Sequence, residues 1–201
     1  QYMRTLVVGA TGFVGSRLVR ALEEGGHDVV AFSRSADSES FPDGVEPFAG
    51  DLGDPESLEG LCDGVDVAYY LIHSLTSENF AELDRRYAAR FREIASEAGV
   101  DRVIYLSGIS GDETDLSPHL ASRREVETVL AEGSFDLPVL RAAVIIGPES
   151  ARFRLVHALT ARPPVLVVTQ CVRDPSHPIS RRRALSHLPG LLAAPDTIGR
   201  P

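Results

Sequence analysis

The chain contains no lysine; all 20 of its basic residues are arginine. That absence removes every mechanism built on an ε-amino group, from Schiff-base catalysis to the phosphate-binding lysine of a P-loop. Cysteine is nearly as scarce. Cys62 and Cys171 are the only two; they lack metal-ligand spacing, and each reads as a small buried hydrophobe rather than a disulfide partner or nucleophile. No metal site is expected. No apolar run reaches the roughly 18 residues of a membrane span, and no signal peptide precedes the first strand pattern, so a cytoplasmic location and no membrane partner are expected. Positive charge is also short. The net charge is −9, and Arg181-Arg182-Arg183 is the one basic run longer than two, read here as a solvated helix face. With no basic stripe to offset repulsion from phosphates, nucleic acid is not expected as a partner.

What is present is an ordinary globular composition, 43% apolar and 24% charged over 201 residues, enough for one α/β domain with a substantial core. The first pattern is the most informative. Leu6-Val7-Val8 reads as a short buried strand, Gly9-Ala10-Thr11-Gly12-Phe13-Val14-Gly15 as a glycine-rich turn, and Ser16-Arg17-Leu18 as the opening of an amphipathic helix. The glycines fall as G-x-x-G-x-x-G. Gly9 permits the sharp exit from the strand, Gly12 lets a pyrophosphate approach the backbone, and Gly15 lets the helix pack close to the strand. The helix N-terminus then offers N–H groups and a positive dipole end to phosphates.

Strand and helix patterns alternate from there. Strands are expected at 4–9, 28–33, 45–48, 65–72, 102–107 and within 137–146, and helices at 13–24, 55–61, 79–98, 117–132 and about 151–161, with an apolar run at 165–168. Asp54 reads as an N-cap with Pro55 at the first helical position. In the long helix, Phe80, Leu83, Tyr87, Phe91 and Ile94 are spaced for one apolar face. The alternation predicts a Rossmann-type, doubly wound parallel sheet with helices on both faces, and ligand across the carboxyl ends of the strands.

Candidate residues therefore lie just past each strand. After the second come Ser33 and Arg34, and an arginine there can pair with a ribose 2′-phosphate, favouring NADP(H) over NAD(H); Asp37 is the competing, acidic reader. After the third, the Asp51 carboxylate can accept from an adenine amino group, with Leu52 against the ring. Leu71, Ile72 and His73 close the fourth, and Ser107 closes the fifth, followed by Ser110. His119 and Arg123, four apart on one helix face, suit a proton shuttle and an anion or ribose anchor. Ala142, Ala143 and Val144 end the sixth strand, where backbone can line a nicotinamide.

Taken together, these residues resemble the extended and atypical branches of the short-chain dehydrogenase/reductase superfamily, the NmrA-like and nucleoside-diphosphate-sugar-epimerase-like NAD(P)H-binding proteins. The resemblance begins with Gly9 to Gly15, continues through Gly50-Asp51-Leu52 and Asp63-Gly64-Val65-Asp66, and ends with Arg141 and Ala142 to Pro148. It implies one NAD(P)-binding domain over 1–201, with 149–201 a small substrate-side portion. The superfamily's Y-x-x-S-K-x-x-x-E frame reads here His119-x-x-Ser122-Arg123-x-x-x-Glu127. Histidine stands for the proton-donating tyrosine, arginine for the lysine, and the superfamily's serine falls at Ser107 or Ser110. Two main functions follow from the resemblance. One is an NADPH-dependent oxidoreductase on a small carbonyl or quinone-like acceptor, with an epimerase-like isomerase as a variant. The other is a non-catalytic NADPH/NADP sensor that regulates a protein partner. Either is compatible with a monomer or homodimer.

Overall fold

A computed structural model describes residues 3–38, 41–74, 79–108 and 116–142, and the backbone of 145–146 and 179–180. The sequence expectations for Ser110, Ala143, Val144, Cys171, the arginine run and the segments 151–161 and 165–168 lie outside the described residues.

The strands are β1 (Arg4–Val8), β2 (Asp28–Ser33), β3 (Val45–Ala49), β4 (Val67–Tyr70), β5 (Arg102–Gly108) and β6 (Val139–Ala142). They form one sheet in the order β3-β2-β1-β4-β5-β6, and every neighbouring pair is parallel. The order reverses between β1 and β4, the crevice where such sheets bind ligands. A separate parallel pair joins β7 (Ile145–Ile146) to β8 (Ile179–Ser180). β4 is shorter than the 65–72 expected because its partner β1 ends, whereas β6 falls within the expected 137–146. Tyr70 is paired with Val8, the last residue of β1, and Ala142 with Gly108, the last residue of β5.

Period-two alternation along buried strands divides the core in two. Leu6, Val8, Phe32, Ala68, Tyr70, Val103 and Tyr105 face one layer, where they meet Ala88, Phe91 and Ala95 of α2 (Phe80–Glu97) and Val126 and Leu130 of α3 (Pro118–Ala131). Val7, Val29, Ala31, Tyr69 and Ile104 face the other, against Leu18, Val19 and Leu22 of α1 (Gly15–Glu24). The expected apolar face of α2 is rotated. Its buried line is Asp84, Ala88, Phe91 and Ala95, and Tyr87 and Ile94 flank it half-buried. Small residues take the centre because α2 packs closely against both the sheet and α3.

Glycines and caps set the ends. Gly26 (φ +80°) follows α1 and Gly99 (φ +73°) follows α2, both left-handed positions. Residues 55–58 form a 3₁₀ turn, shorter than the helix expected, whose Asp54 Oδ1 accepts from the Glu56 N–H at 3.2 Å. At the amino edge of the sheet, Arg4 ties three strands together. Its guanidinium donates to Asp28 of β2 at 2.8 Å and Glu46 of β3 at 2.6 Å. Its own N–H donates to Asp66 Oδ2 at 2.7 Å.

Candidate nucleotide-binding site

The turn after β1 is fixed by backbone. The N–H groups of Gly9 and Ala10 both donate to the Phe32 carbonyl, at 2.9 and 3.0 Å, and Gly12 N–H donates to the Gly9 carbonyl at 3.0 Å. Gly9 sits at φ +96°, where an L side chain is strained. A Cβ on Gly15 would lie 2.1 Å from the Gly9 oxygen, so only glycine allows the helix to begin so close to the strand. Gly12 is exposed, and a Cβ there would meet Gly9 O at 3.2 Å. Thr11, Phe13 and Val14 between them are half-buried. No side chain caps α1 and no acidic residue occupies its first turn, so nothing there opposes an anion. The residues thus form the cradle that a pyrophosphate requires.

Neighbouring strand ends converge on this turn. A Cβ on Gly9 would touch Ile72 and Leu71 at 3.4–3.6 Å, which sets the exit of β4 against the glycine turn. His73 next to them is exposed. Ser33 ends β2 with its hydroxyl buried and unpartnered, and Arg34 beside it is exposed. Gly50 N–H donates to the Ser33 carbonyl at 3.2 Å, which brings the Gly50-Asp51-Leu52 turn alongside. Asp51 Oδ1 accepts from the Gly53 N–H at 2.7 Å. Leu52 is 2% exposed, its side chain committed to the core with Leu58 and Leu61.

A second group gathers at β5 and α3. Ser107 is buried and shares a hydrogen bond with the Tyr105 hydroxyl, which donates to the Arg123 carbonyl at 3.2 Å. Burial pushes the Tyr105 phenol up to about 12. The Arg123 guanidinium donates to the Leu106 carbonyl at 3.1 Å. Exposed His119 lies against the ring of Phe80, centroids 4.6 Å apart. Glu127 takes an ion pair from Arg141 at 2.5 Å. Ala142, on β6 beside Gly108, is buried.

Asp84 stands between the two groups. It is 5% exposed; Oδ1 accepts from the Ser74 N–H at 2.7 Å, and Oδ2 is 3.5 Å from the Ser122 hydroxyl. Sequence reasoning missed it, together with Tyr105 and Phe80's contact with His119. A carboxylate between Leu83 and Arg85 on a charged helix carries no signal that it faces inward. Among the described residues, no group of three or more His, Cys, Asp or Glu could hold a metal ion. No described helix is long and apolar enough to cross a membrane.

A family profile described as NAD(P)H-binding matches residues 9–161. The chain belongs to this NAD(P)H-binding family. Among curated proteins, a ceramide reductase from Caulobacter vibrioides is 34% identical over 167 residues, covering 81% of this chain and 52% of the relative. Sterol demethylase protein B from Methylococcus capsulatus is 31% identical over 183 residues, covering 77% of this chain and 55% of the relative. The chain thus spans about half the length of these relatives. A short-chain dehydrogenase/reductase superfamily protein from Agrobacterium tumefaciens, solved with bound NAD, superposes with a TM-score of 0.75 at 18% identity, covering 96% of this chain and 75% of that one. The fold is that of the NAD-binding short-chain dehydrogenase/reductase proteins. The family match covers the glycine turn itself.

Proposed function

We propose that the protein is an NADPH-dependent oxidoreductase that reduces a carbonyl or quinone-like acceptor. The observation that carries the cofactor half is the junction of the glycine cradle with Arg34, an exposed cation immediately past β2. The Gly9–Gly15 turn and the N-terminus of α1 bind the pyrophosphate. Arg34 pairs with the 2′-phosphate in a charge-assisted contact. When bound, the reduced nicotinamide supplies a hydride from C4. His119 supplies the proton that completes reduction of the acceptor to an alcohol, a role open to an imidazole at neutral pH. Ser107 or Ser110 polarises the acceptor oxygen, and Arg123 holds the nicotinamide ribose. The backbone at Ala142, the end of β6, lines the ring. The names of the ceramide and sterol relatives put lipid-derived carbonyl compounds first in an acceptor panel.

The test is a titration with NADPH and NADH, on the parent protein and on Arg34→Ala. A charged hydrogen bond contributes about 1.5–3 kcal/mol, so the parent should prefer NADPH by roughly tenfold or more and the variant should lose that preference. Equal affinity for both nucleotides in the parent would remove Arg34 from the assignment.

A sensor that passes the NADPH/NADP ratio to a protein partner is the second reading. It is favoured by Arg123, whose guanidinium already donates to the Leu106 carbonyl. That reading expects clear nucleotide affinity without turnover, whereas the enzyme reading expects turnover that His119→Ala abolishes.

A further inference from the structure

We infer that Arg90 of α2 is a positioning residue for the adenine base, and that it makes the site discriminate a purine carrying a 6-amino group from one carrying a 6-oxo group. This rests on the nucleotide-binding reading above. The Gly50–Gly53 turn is held on several sides. A Cβ at Gly50 would strike the Ser57 carbonyl at 2.7 Å and the Phe32 ring at 2.9 Å. Ser57 Oγ accepts from the Asp51 N–H at 3.0 Å and donates to the Asp54 carbonyl at 2.8 Å. The fourth hold comes from outside the loop. The Arg90 guanidinium reaches across 38 positions of sequence to donate to the Leu52 carbonyl at 2.5 Å. Three residues earlier on α2, the hydroxyl of half-buried Tyr87 stands 3.4 Å from where a Gly53 Cβ would be.

The consequence falls on Asp51. One carboxylate oxygen, Oδ1, is committed to the Gly53 N–H. The angle of the carboxylate is therefore set by the Leu52–Gly53 backbone, and Arg90 fixes that backbone through the Leu52 carbonyl. Oδ2 is left to accept from the exocyclic amine of adenine. It repels the carbonyl oxygen that hypoxanthine carries at the same place, because a carboxylate and a carbonyl oxygen are both acceptors and neither brings a proton.

The probe is NADPH against its hypoxanthine counterpart, reduced nicotinamide hypoxanthine dinucleotide phosphate, titrated separately by fluorescence. The parent should bind NADPH about tenfold more tightly, the equivalent of one hydrogen bond of about 1.4 kcal/mol. Arg90→Ala should shrink that ratio below about threefold, and Arg90→Lys, which keeps one donor at the end of a long stem, should largely restore it. Two results overturn the inference while leaving the cofactor assignment standing: a parent that binds both nucleotides equally, or a ratio unchanged in Arg90→Ala, whether or not both affinities fall together. Binding of neither nucleotide by the parent would overturn this inference and the cofactor assignment together. Melting curves of each variant separate unfolding from loss of discrimination, and Asp51→Asn, which leaves Arg90 in place, provides an independent route to loss of the ratio.

Discussion

The imidazole of His119 rests on the ring of Phe80, with centroids 4.6 Å apart and planes inclined by 35°. The contact joins the first turns of α2 and α3, and it restricts where the candidate proton donor points. Ring pairs of this kind contribute about 0.5–1.5 kcal/mol beyond buried area. Phe80→Ala should therefore slow NADPH-dependent reduction several-fold by releasing the imidazole. His119→Ala should slow it by roughly 10²–10⁴, the usual range for a lost general acid. Steady-state rates for both variants check this ordering, and equal rates for His119→Ala and parent would exclude histidine from the chemistry.

Gly15→Ala should be the most damaging single methyl addition in the cradle. Its Cβ would fall 2.1 Å from the Gly9 carbonyl oxygen, against backbone that has no room to yield. Overpacking of this kind costs about 1–3 kcal/mol. Urea denaturation should register that loss, with NADPH affinity falling alongside it. Gly26→Ala, at a left-handed position with nothing within 4 Å, should cost about 1 kcal/mol through backbone strain alone and leave affinity intact.

Stability should fall on the alkaline side. Burial holds the Cys62 thiol up at about 12 and Tyr105 at about 12, and raises Tyr69 and Tyr70 further. In the unfolded chain these groups lose their protons near pH 9 for the thiol and 10 for the phenols. Between those values and their native ones, the folded state binds more protons than the unfolded state, so stability declines as pH rises through that window. Below about pH 9 the contribution is fully present. Tyrosinate absorbance should show three of the five tyrosines ionising only as the protein unfolds. Cys62 should resist thiol reagents in the folded protein at neutral pH.

Arg4→Met should lower stability by about 1 kcal/mol or less. Its partners Asp28 and Glu46 are about half exposed, and ion pairs in such settings are weak and screened. The loss should diminish in high salt, which denaturation curves at two ionic strengths would reveal.

Much of this fold is legible in the sequence because its signals are local. The glycine spacing, the buried runs Leu6–Val8 and Val29–Phe32, and the Asp54–Pro55 cap each act within a few residues. The end of β4 is less legible, because it ends where a distant partner, β1, ends. The face of α2 is only partly legible: Phe91, Tyr87 and Ile94 do meet the core, but helical period alone does not say that two partners demand small residues at the centre of the contact. That same crowding turns Ala88 and Ala95 inward and leaves room for Asp84. The glycine turn, Arg34 and Asp51 stand at strand ends, where the topology of a parallel sheet places candidate ligand contacts. Arg90 and Tyr105 act through main-chain carbonyls of other segments, which no residue type announces.

The Arg4 clamp and the glycine cradle occupy opposite rims of one sheet, the first at the start of β1 and the second just past its end. The protein therefore has a rim that can be rebuilt independently of the one that recognises ligands. A thermostable version can be sought by varying Arg4, Asp28, Glu46 and Asp66 alone, and every clone from such a library should keep its parent's nucleotide preference.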